Sequence, residues 1–197
     1  FKPLDMVLPD QFIDLTKRRE STFFGQGAVA HVSMAQPVCP AAAGVLARAV
    51  RNVLAAEPSG HGVTLHEGGT YVCIDGPQFS SLAESMWYRS MGGGVIGMTN
   101  MPEAKLAREA QIAYVTLALV SDFDCWHPRE ANVTADMALA NLFKNVGRAQ
   151  QVAAEAIRLL GAEQPASDAH SALQYALVTQ PEAMAPEVRA RLAALLG

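Results

Sequence analysis

Apolar residues follow two different spacings along the chain. Short apolar runs bounded by Gly or Pro predict strands, and apolar residues three and four positions apart predict helices. The longest run, residues 112–121, is apolar and β-branched without alternation, so we predict a strand buried on both faces. The predicted strands are residues 5–8, 28–34, 68–76, 94–99 and 112–121, and the predicted helices are residues 40–57, 80–92, 102–111, 134–160, 169–179 and 186–196.

The order of these elements indicates the fold class. Strands alternate with helices as far as residue 121, and the last third of the chain is helical. This order is typical of an α/β fold in which helices cover a central sheet on both faces. Pro9 ends the first strand, and residues 17–27 are polar and Gly-rich, so we predict loops at both places. Since no linker interrupts the chain, we predict a single domain over residues 1–197.

Composition and charge exclude several classes of protein. Half of the 197 residues are hydrophobic and the net charge is −4, with no cluster of Lys and Arg. A basic patch for nucleic acid or for a membrane surface is therefore not expected. No apolar run reaches the length of about 18 residues that a membrane-spanning helix needs. The three cysteines are far apart and form no CxxC motif, which predicts reduced thiols and a cytoplasmic protein without a zinc site.

Polar residues follow three of the predicted strands, at the carboxyl ends where open α/β sheets bind their ligands. These polar stretches are residues 75–81 (DGPQFSS), 98–100 (MTN) and 121–124 (SDFD). If the strands are neighbours, the three stretches meet at one edge of the sheet. The sequence therefore predicts a binding site there.

Each candidate also has a structural interpretation, which the sequence leaves open. Asp122 and Asp124 could simply end the strand in a turn, and residues 75–81 could lead into a helix cap. Met98 could belong to the core, and His31 could be a structural histidine. A metal site at residues 122–127 is not supported, because no further ligand completes the set.

Four motifs in a fixed order carry a resemblance to a known family. They are MAQPVCP (34–40), GGTYVCIDGPQFSSLAES (68–85), GVIGMTNMPEAKLAREAQIAY (94–114) and SDFDCW (121–126), and DQFID (10–14) precedes them. Together they closely resemble the trimeric purine nucleoside phosphorylases, and specifically the 5′-methylthioadenosine phosphorylase branch. The likeness spans about residues 4–160.

The resemblance implies a three-layer phosphorylase-type fold with a central mixed β-sheet flanked by helices. It also implies phosphorolysis of 5′-methylthioadenosine to adenine and 5-methylthioribose 1-phosphate, with inorganic phosphate as co-substrate and no cofactor. Two alternatives stay open. The chain could act on methylthioinosine or inosine, or it could be a non-catalytic subunit that completes a split phosphorylase.

The resemblance also implies roles for individual residues. Asp122 would stabilise the leaving purine at N7 and the 6-amino group, and Asp124 would support the base pocket. The 6-oxopurine branch carries asparagine at the position of Asp122, so aspartate favours a 6-aminopurine. The substrate-binding residues implied are Phe79 and Ser80 at the purine, Met98 at the ribose, Thr99 at phosphate, His31 from a neighbouring subunit near the 5′ substituent, and Val133 and Ala135 in the 5′ pocket.

One departure from the family pattern concerns phosphate. The family's main phosphate-binding elements, a Gly-rich loop after the first strand and an Arg-His pair, have no counterpart in these 197 residues. The resemblance therefore implies a sheet and an active site that are incomplete without an N-terminal segment. We expect a homotrimer, or a heterohexamer with a chain that carries the N-terminal half, acting on a purine nucleoside and phosphate.

Overall fold

The computed structural model describes residues 1–57, 62–127 and 134–197, which form a mixed α/β structure. The strands are β1 (Met6–Leu8), β2 (Gln11–Asp14), β3 (Leu65–Glu67), β4 (Thr70–Cys73), β5 (Gly93–Gly97) and β6 (Ala118–Leu119). The helices are α1 (Pro40–Ala56), α2 (Leu82–Ser90), α3 (Asn100–Glu109), α4 (Ala135–Glu163), α5 (Pro186–Arg191) and α6 (Ala193–Leu196). Two short 3-10 helices, Asp168–Ser171 and Pro181–Ala183, precede α5. In these described residues, no helix combines the length and the apolar character needed to cross a membrane.

The strands form two three-stranded sheets. Residues 6–14 and residues 65–73 each contribute one strand to both sheets. The first sheet has the order β3-β1-β6, with β1 parallel to β3 and antiparallel to β6. The second has the order β2-β4-β5 and is parallel throughout. Both sheets keep a spacing of 59 residues between partners, from Met6 opposite Leu65 and from Gln11 opposite Thr70. One parallel ladder therefore continues from the first sheet into the second.

The ladder bends where Pro9 faces two glycines. Pro9 has no backbone N–H to donate, so it interrupts the strand hydrogen bonds. Gly68 and Gly69 have φ values of 83° and 107°, which side chains other than glycine rarely adopt. The Gly68 amide donates to the Leu8 carbonyl at 2.9 Å, and the Asp10 amide donates to the Gly69 carbonyl at 3.1 Å. These bonds keep the register across the bend.

Helices cover the first sheet and the C-terminal third builds a separate apolar cluster. α1 and α4 pack on β1, where Val50, Val152 and Met6 are almost fully buried. At the other cluster, Phe24 contacts the last residues of the chain, including Leu192. Burying a side chain of this size contributes roughly 1.5–3 kcal/mol to folding.

Much of the predicted element order is confirmed. The strands predicted at 5–8, 68–76 and 94–99 correspond to β1, β4 and β5, and the helices predicted at 40–57, 80–92, 102–111 and 134–160 correspond to α1 to α4. The predicted α/β class with helices flanking a mixed sheet is likewise confirmed, with the strands divided between two sheets at the bend.

Three predicted elements are wrong, and a fourth is divided. Residues 28–34 form one antiparallel bridge, Ala30 with Leu177, because the C-terminal segment takes their backbone hydrogen bonds. Residues 112–121 pair as a strand only at Ala118–Leu119, with Ile112 exposed and the other residues half-buried. Residues 169–179 form a 3-10 helix and turns, and the helix predicted at 186–196 is divided at Leu192.

Two short strands escaped prediction. β2 begins two residues after Pro9, at the place where we predicted a loop, and β3 has the sequence LHE. Both have only three or four residues, so their pairing with β4 and β1 determines their conformation more than their own sequence does.

An ion pair fastens α3 to the end of β2. Lys105 donates to Asp14, and the Thr16 amide and hydroxyl donate to the same carboxylate at 2.9 and 2.6 Å. Burial raises the pKa of Asp14, but the hydrogen bonds from Lys105 and Thr16 outweigh burial and hold that pKa below its usual value.

The variant Lys105→Gln should lower the free energy of unfolding at pH 7 by about 1 kcal/mol, because it removes the cation beside Asp14. The pKa of Asp14 is lower in the folded than in the unfolded state, so this contribution is complete well above the unfolded pKa of about 3.9. It is lost as the pH falls through the lower, folded pKa. Urea unfolding at pH 7 and pH 3 measures the difference.

Lys144→Gln is the control, since it removes an exposed lysine of α4 and should change stability by less than about 0.5 kcal/mol. A Lys105→Gln effect of the same size at both pH values would contradict the assignment.

Candidate active site

One cleft with a volume of about 340 Å³ runs along the whole of β5 and continues past its carboxyl end. Its other side is formed by residues 119–124, which lead out of β6. Five of the predicted site residues line this cleft: Phe79, Ser80, Met98, Asp122 and Asp124. The predicted convergence of the three polar stretches is therefore present in the structure.

Residues 121–125 form a tight turn that the two acids stabilise. Asp122 accepts from the Ser121 hydroxyl with one carboxylate oxygen and from the Asp124 amide at 2.9 Å with the other. Asp124 has a φ of 60° and accepts from the Cys125 amide at 2.8 Å and from the Ser85 hydroxyl. Both acids thus stabilise the turn and also face the cleft, so the structural interpretation and the binding interpretation hold together.

The turn after β4 brings Phe79 and Ser80 to the cleft. Gly76 has a φ of 68°, and a Cβ atom there would lie 2.4 Å from the sulfur of Met98, so the position requires glycine. Phe79 is half exposed. The Ser80 hydroxyl is buried beside the Tyr88 phenol, and its remaining hydrogen-bonding capacity is available to a ligand in the cleft.

The turn after β5 depends on a second close contact. A Cβ atom on Gly97 would lie 1.8 Å from the hydroxyl oxygen of Tyr71. Burial raises the pKa of the Tyr71 phenol, and its hydrogen bonding with Thr99 acts in the opposite direction. Thr99 itself is exposed and does not line the cleft.

The remaining predicted residues lie elsewhere. His31 is exposed outside the cleft lining, and its amide donates to the Ala176 carbonyl at 2.8 Å. Val133 lies outside the described residues. Ala135 begins α4, and its side chain is likewise outside them. The roles of these three residues at the 5′ substituent stay predictions.

Helix α2 contributes site residues that sequence reasoning missed. Ser85 donates to Asp124, and the guanidinium carbon of Arg89 lies 3.5 Å from the ring centroid of Trp126. A cation over an indole ring stabilises both groups. Ser85 and Arg89 are four positions apart, so they lie on the same face of α2. This spacing is the sequence feature that could have indicated both residues.

Across the described ranges, no three His, Cys, Asp or Glu side chains are arranged to bind a metal ion. Burial, and then Asp124, raise the pKa of the Cys125 thiol, so this cysteine stays a neutral thiol at pH 7.

The family model described as the phosphorylase superfamily matches residues 1–158. The chain belongs to this superfamily. Two S-methyl-5′-thioadenosine phosphorylases, from Thermosynechococcus vestitus and Gloeobacter violaceus, are 55% and 51% identical to it over 196 and 197 residues. The alignments cover 100% of this phosphorylase-superfamily chain and 66% and 64% of those proteins. The chain therefore spans about two thirds of the length of these curated relatives.

Solved phosphorylases share the fold of the chain. A methylthioadenosine phosphorylase from an Antarctic soil metagenomic library superposes with a TM-score of 0.91 and is 62% identical, over 100% of this chain and 67% of that one. The Schistosoma mansoni methylthioadenosine phosphorylase in complex with adenine gives a TM-score of 0.75 at 32% identity, over 99% of this chain and 65% of that one. The similarity therefore extends past residue 160, beyond the motifs that the sequence revealed.

Replacing Gly97 with alanine in this phosphorylase chain should lower the free energy of unfolding by about 1–3 kcal/mol, because the new methyl group overlaps the Tyr71 hydroxyl. Adding Tyr71→Phe removes that hydroxyl and should recover part of the loss. Urea unfolding of the single and double variants measures both effects.

Gly147→Ala is the matched control. A Cβ atom at Gly147 in α4 meets nothing within 4 Å, so this change should stabilise the helix by roughly 0.5–1 kcal/mol. Equal effects at the two glycines would contradict the role of the Tyr71 contact.

Proposed function

We propose that this chain provides the purine-binding part of a 5′-methylthioadenosine phosphorylase, which produces adenine and 5-methylthioribose 1-phosphate. The observation that carries the proposal is the group of Asp122, Phe79, Ser80 and Met98 along one cleft. Relatives named for this activity, up to 62% identical, support it. Aspartate at position 122 supports a 6-aminopurine, because the carbonyl oxygen of its carboxyl group accepts a hydrogen bond from the exocyclic amine.

The proposed reaction exchanges one bond at the sugar for another. The C1′–N9 bond breaks with its electron pair moving into the purine, and a phosphate oxygen bonds to C1′. As the purine gains negative charge, the Asp122 carboxyl group would pass its proton to N7, so the base leaves as a neutral molecule. Because N7 is more basic in the transition state than in the substrate, this hydrogen bond is stronger there, and it accelerates the reaction.

The cleft is better equipped for the purine than for phosphate. Thr99 does not line it, and Arg89 is engaged by the Trp126 ring. We therefore retain the expectation that another segment, N-terminal in the family, contributes the phosphate site, either in the same polypeptide or as a second chain. The length of the relatives, which the chain spans by about two thirds, supports this expectation.

The sheet edges at the cleft also support the proposal of a further segment. Within the described residues, β5 and β6 are each the end strand of a sheet, and both line the cleft. Their unpaired backbone groups can accept a further strand. A strand added there would complete the sheet that the ladder bend divides. The whole would then form the single phosphorylase domain to which residues 1–197 belong.

A trimeric assembly would bring in His31 from a neighbouring copy. His31 is exposed, and Tyr175 and Val178 beside it are 92% and 59% exposed. On α2, Met86 and Trp87 are also about half exposed. Apolar side chains exposed at two separate places support contacts between copies. The three free cysteines support a reducing, cytoplasmic location.

The chain produced together with the N-terminal third of the 62%-identical phosphorylase should release adenine from 5′-methylthioadenosine only when phosphate is present. The chain alone should be slower by at least about 10²-fold, because it lacks most of the charge stabilisation at phosphate. Chromatography of adenine measures the rate, and native mass spectrometry should detect three copies of each part.

The outcomes distinguish the alternatives. Faster turnover of inosine or methylthioinosine would support the 6-oxopurine alternative. A stable assembly that releases no base from any of these nucleosides would indicate a non-catalytic subunit and overturn the proposal.

Asp122→Asn should lower kcat/KM for 5′-methylthioadenosine by about 10²-fold or more, because an amide cannot pass a proton to the leaving purine. Turnover of 6-oxopurine nucleosides should fall less or rise. Glu187→Gln removes an exposed carboxylate of α5 and is the control. Unchanged adenine kinetics in Asp122→Asn would refute the role of Asp122.

A further inference from the structure

Arg19 connects two turns that are far apart in sequence. Its side chain is 28% exposed, and its guanidinium donates to the Met101 carbonyl at 2.7 Å and to the Asp75 and Ile74 carbonyls at 3.1 and 3.4 Å. Nε of Arg19 lies 3.4 Å from one carboxylate oxygen of Asp75, and the Lys17 amide donates to the other at 3.0 Å. The Arg19 side chain is therefore hydrogen-bonded to the backbone of both turns, at residues 74–75 and at Met101.

The two turns are those that carry the purine side of the cleft. The first turn, residues 74–80, ends with Phe79 and Ser80, and the second turn, residues 97–101, contains Met98. They also touch each other, since the Gly76 backbone packs closely against the Met98 side chain. A shift of one turn relative to the other would therefore change the shape of the cleft.

From this geometry we propose that Arg19 is a positioning residue for the purine site, acting through the three carbonyls and touching no substrate itself. Its effect on catalysis rests on the proposed function. The planar guanidinium directs several N–H groups at separate acceptors at once, whereas a lysine ammonium is a point donor that cannot span them in the same way. Arg19→Lys keeps the charge and removes this bridge.

Arg19 is not needed to attach the loop of residues 17–27 to the rest of the protein. That loop has its own attachment, because the Thr22 hydroxyl and the Phe23 amide both donate at 2.7 Å to the buried carboxylate of Glu109. Loss of the Arg19 bridge should therefore loosen the two turns while the loop stays on α3. Arg18 is exposed on the same segment and provides a matched control.

The experiment compares Arg19→Lys and Arg19→Gln with Arg18→Lys and Arg18→Gln in the assembly that carries the N-terminal segment. Hydrogen–deuterium exchange should become about tenfold faster or more in residues 74–80 and 97–101 of the Arg19 variants, with α4 unchanged. The kcat/KM for 5′-methylthioadenosine should fall between about tenfold and about 10²-fold, because misplacement of the site residues weakens transition-state binding. The KM for phosphate should change less than the KM for 5′-methylthioadenosine, since Thr99 is the one residue of the bridged turns whose implied contact is phosphate.

Two results would overturn the proposal. One is unchanged exchange in both turns of the Arg19 variants. The other is a lower melting temperature with kcat and both KM values unchanged per folded protein, which would mean that Arg19 contributes only to stability. If the wild type released no adenine, the proposed function would fail separately, and the exchange result alone would decide the role of Arg19.

Discussion

The parallel ladder between residues 6–14 and 65–73 is the constraint on which the rest of the structure depends. Its register stays constant while its direction changes at Pro9. The same two segments therefore contribute a pair of strands to each of the two sheets. One half pairs with β6, which leads to Asp122. The other half pairs with β5, which leads to Met98. The cleft lies between β5 and the chain that leaves β6 because these two strands belong to different halves of a single bent ladder.

Elements that hold themselves together locally could be predicted from the sequence. α1 and α4 have apolar residues at helical spacing, and Ser81 with Glu84 forms a capping box at the start of α2. Elements that depend on distant partners could not. Residues 28–34 take their hydrogen bonds from the C-terminal segment, and β2 exists because β4 lies beside it. Nothing in the local sequence specifies these partners.

The candidate site shows the same division. The acids after the apolar run and the polar residues after β4 and β5 were visible because strands in α/β folds present ligand-binding groups at their ends. Arg19 and Ser85 were not visible, since Arg19 bonds mainly to carbonyl groups that every residue possesses and Ser85 to a carboxylate 39 positions away. The ambiguity at Asp122 was real in physical terms, because the same carboxylate stabilises its turn and faces the cleft.

The glycine content of β5 has a consequence for association between copies of the chain. Glycine occupies three of its five positions, Gly93, Gly94 and Gly97, on the end strand that lines the cleft. An unpaired, flat and apolar edge invites identical chains to stack into aggregates. Glycine has low β propensity and adds no apolar side chain, so this edge is a weak template for such stacking. Gly97, which gives the Tyr71 hydroxyl its space, therefore also makes this edge less favourable for stacking between copies of the chain, as do Gly93 and Gly94.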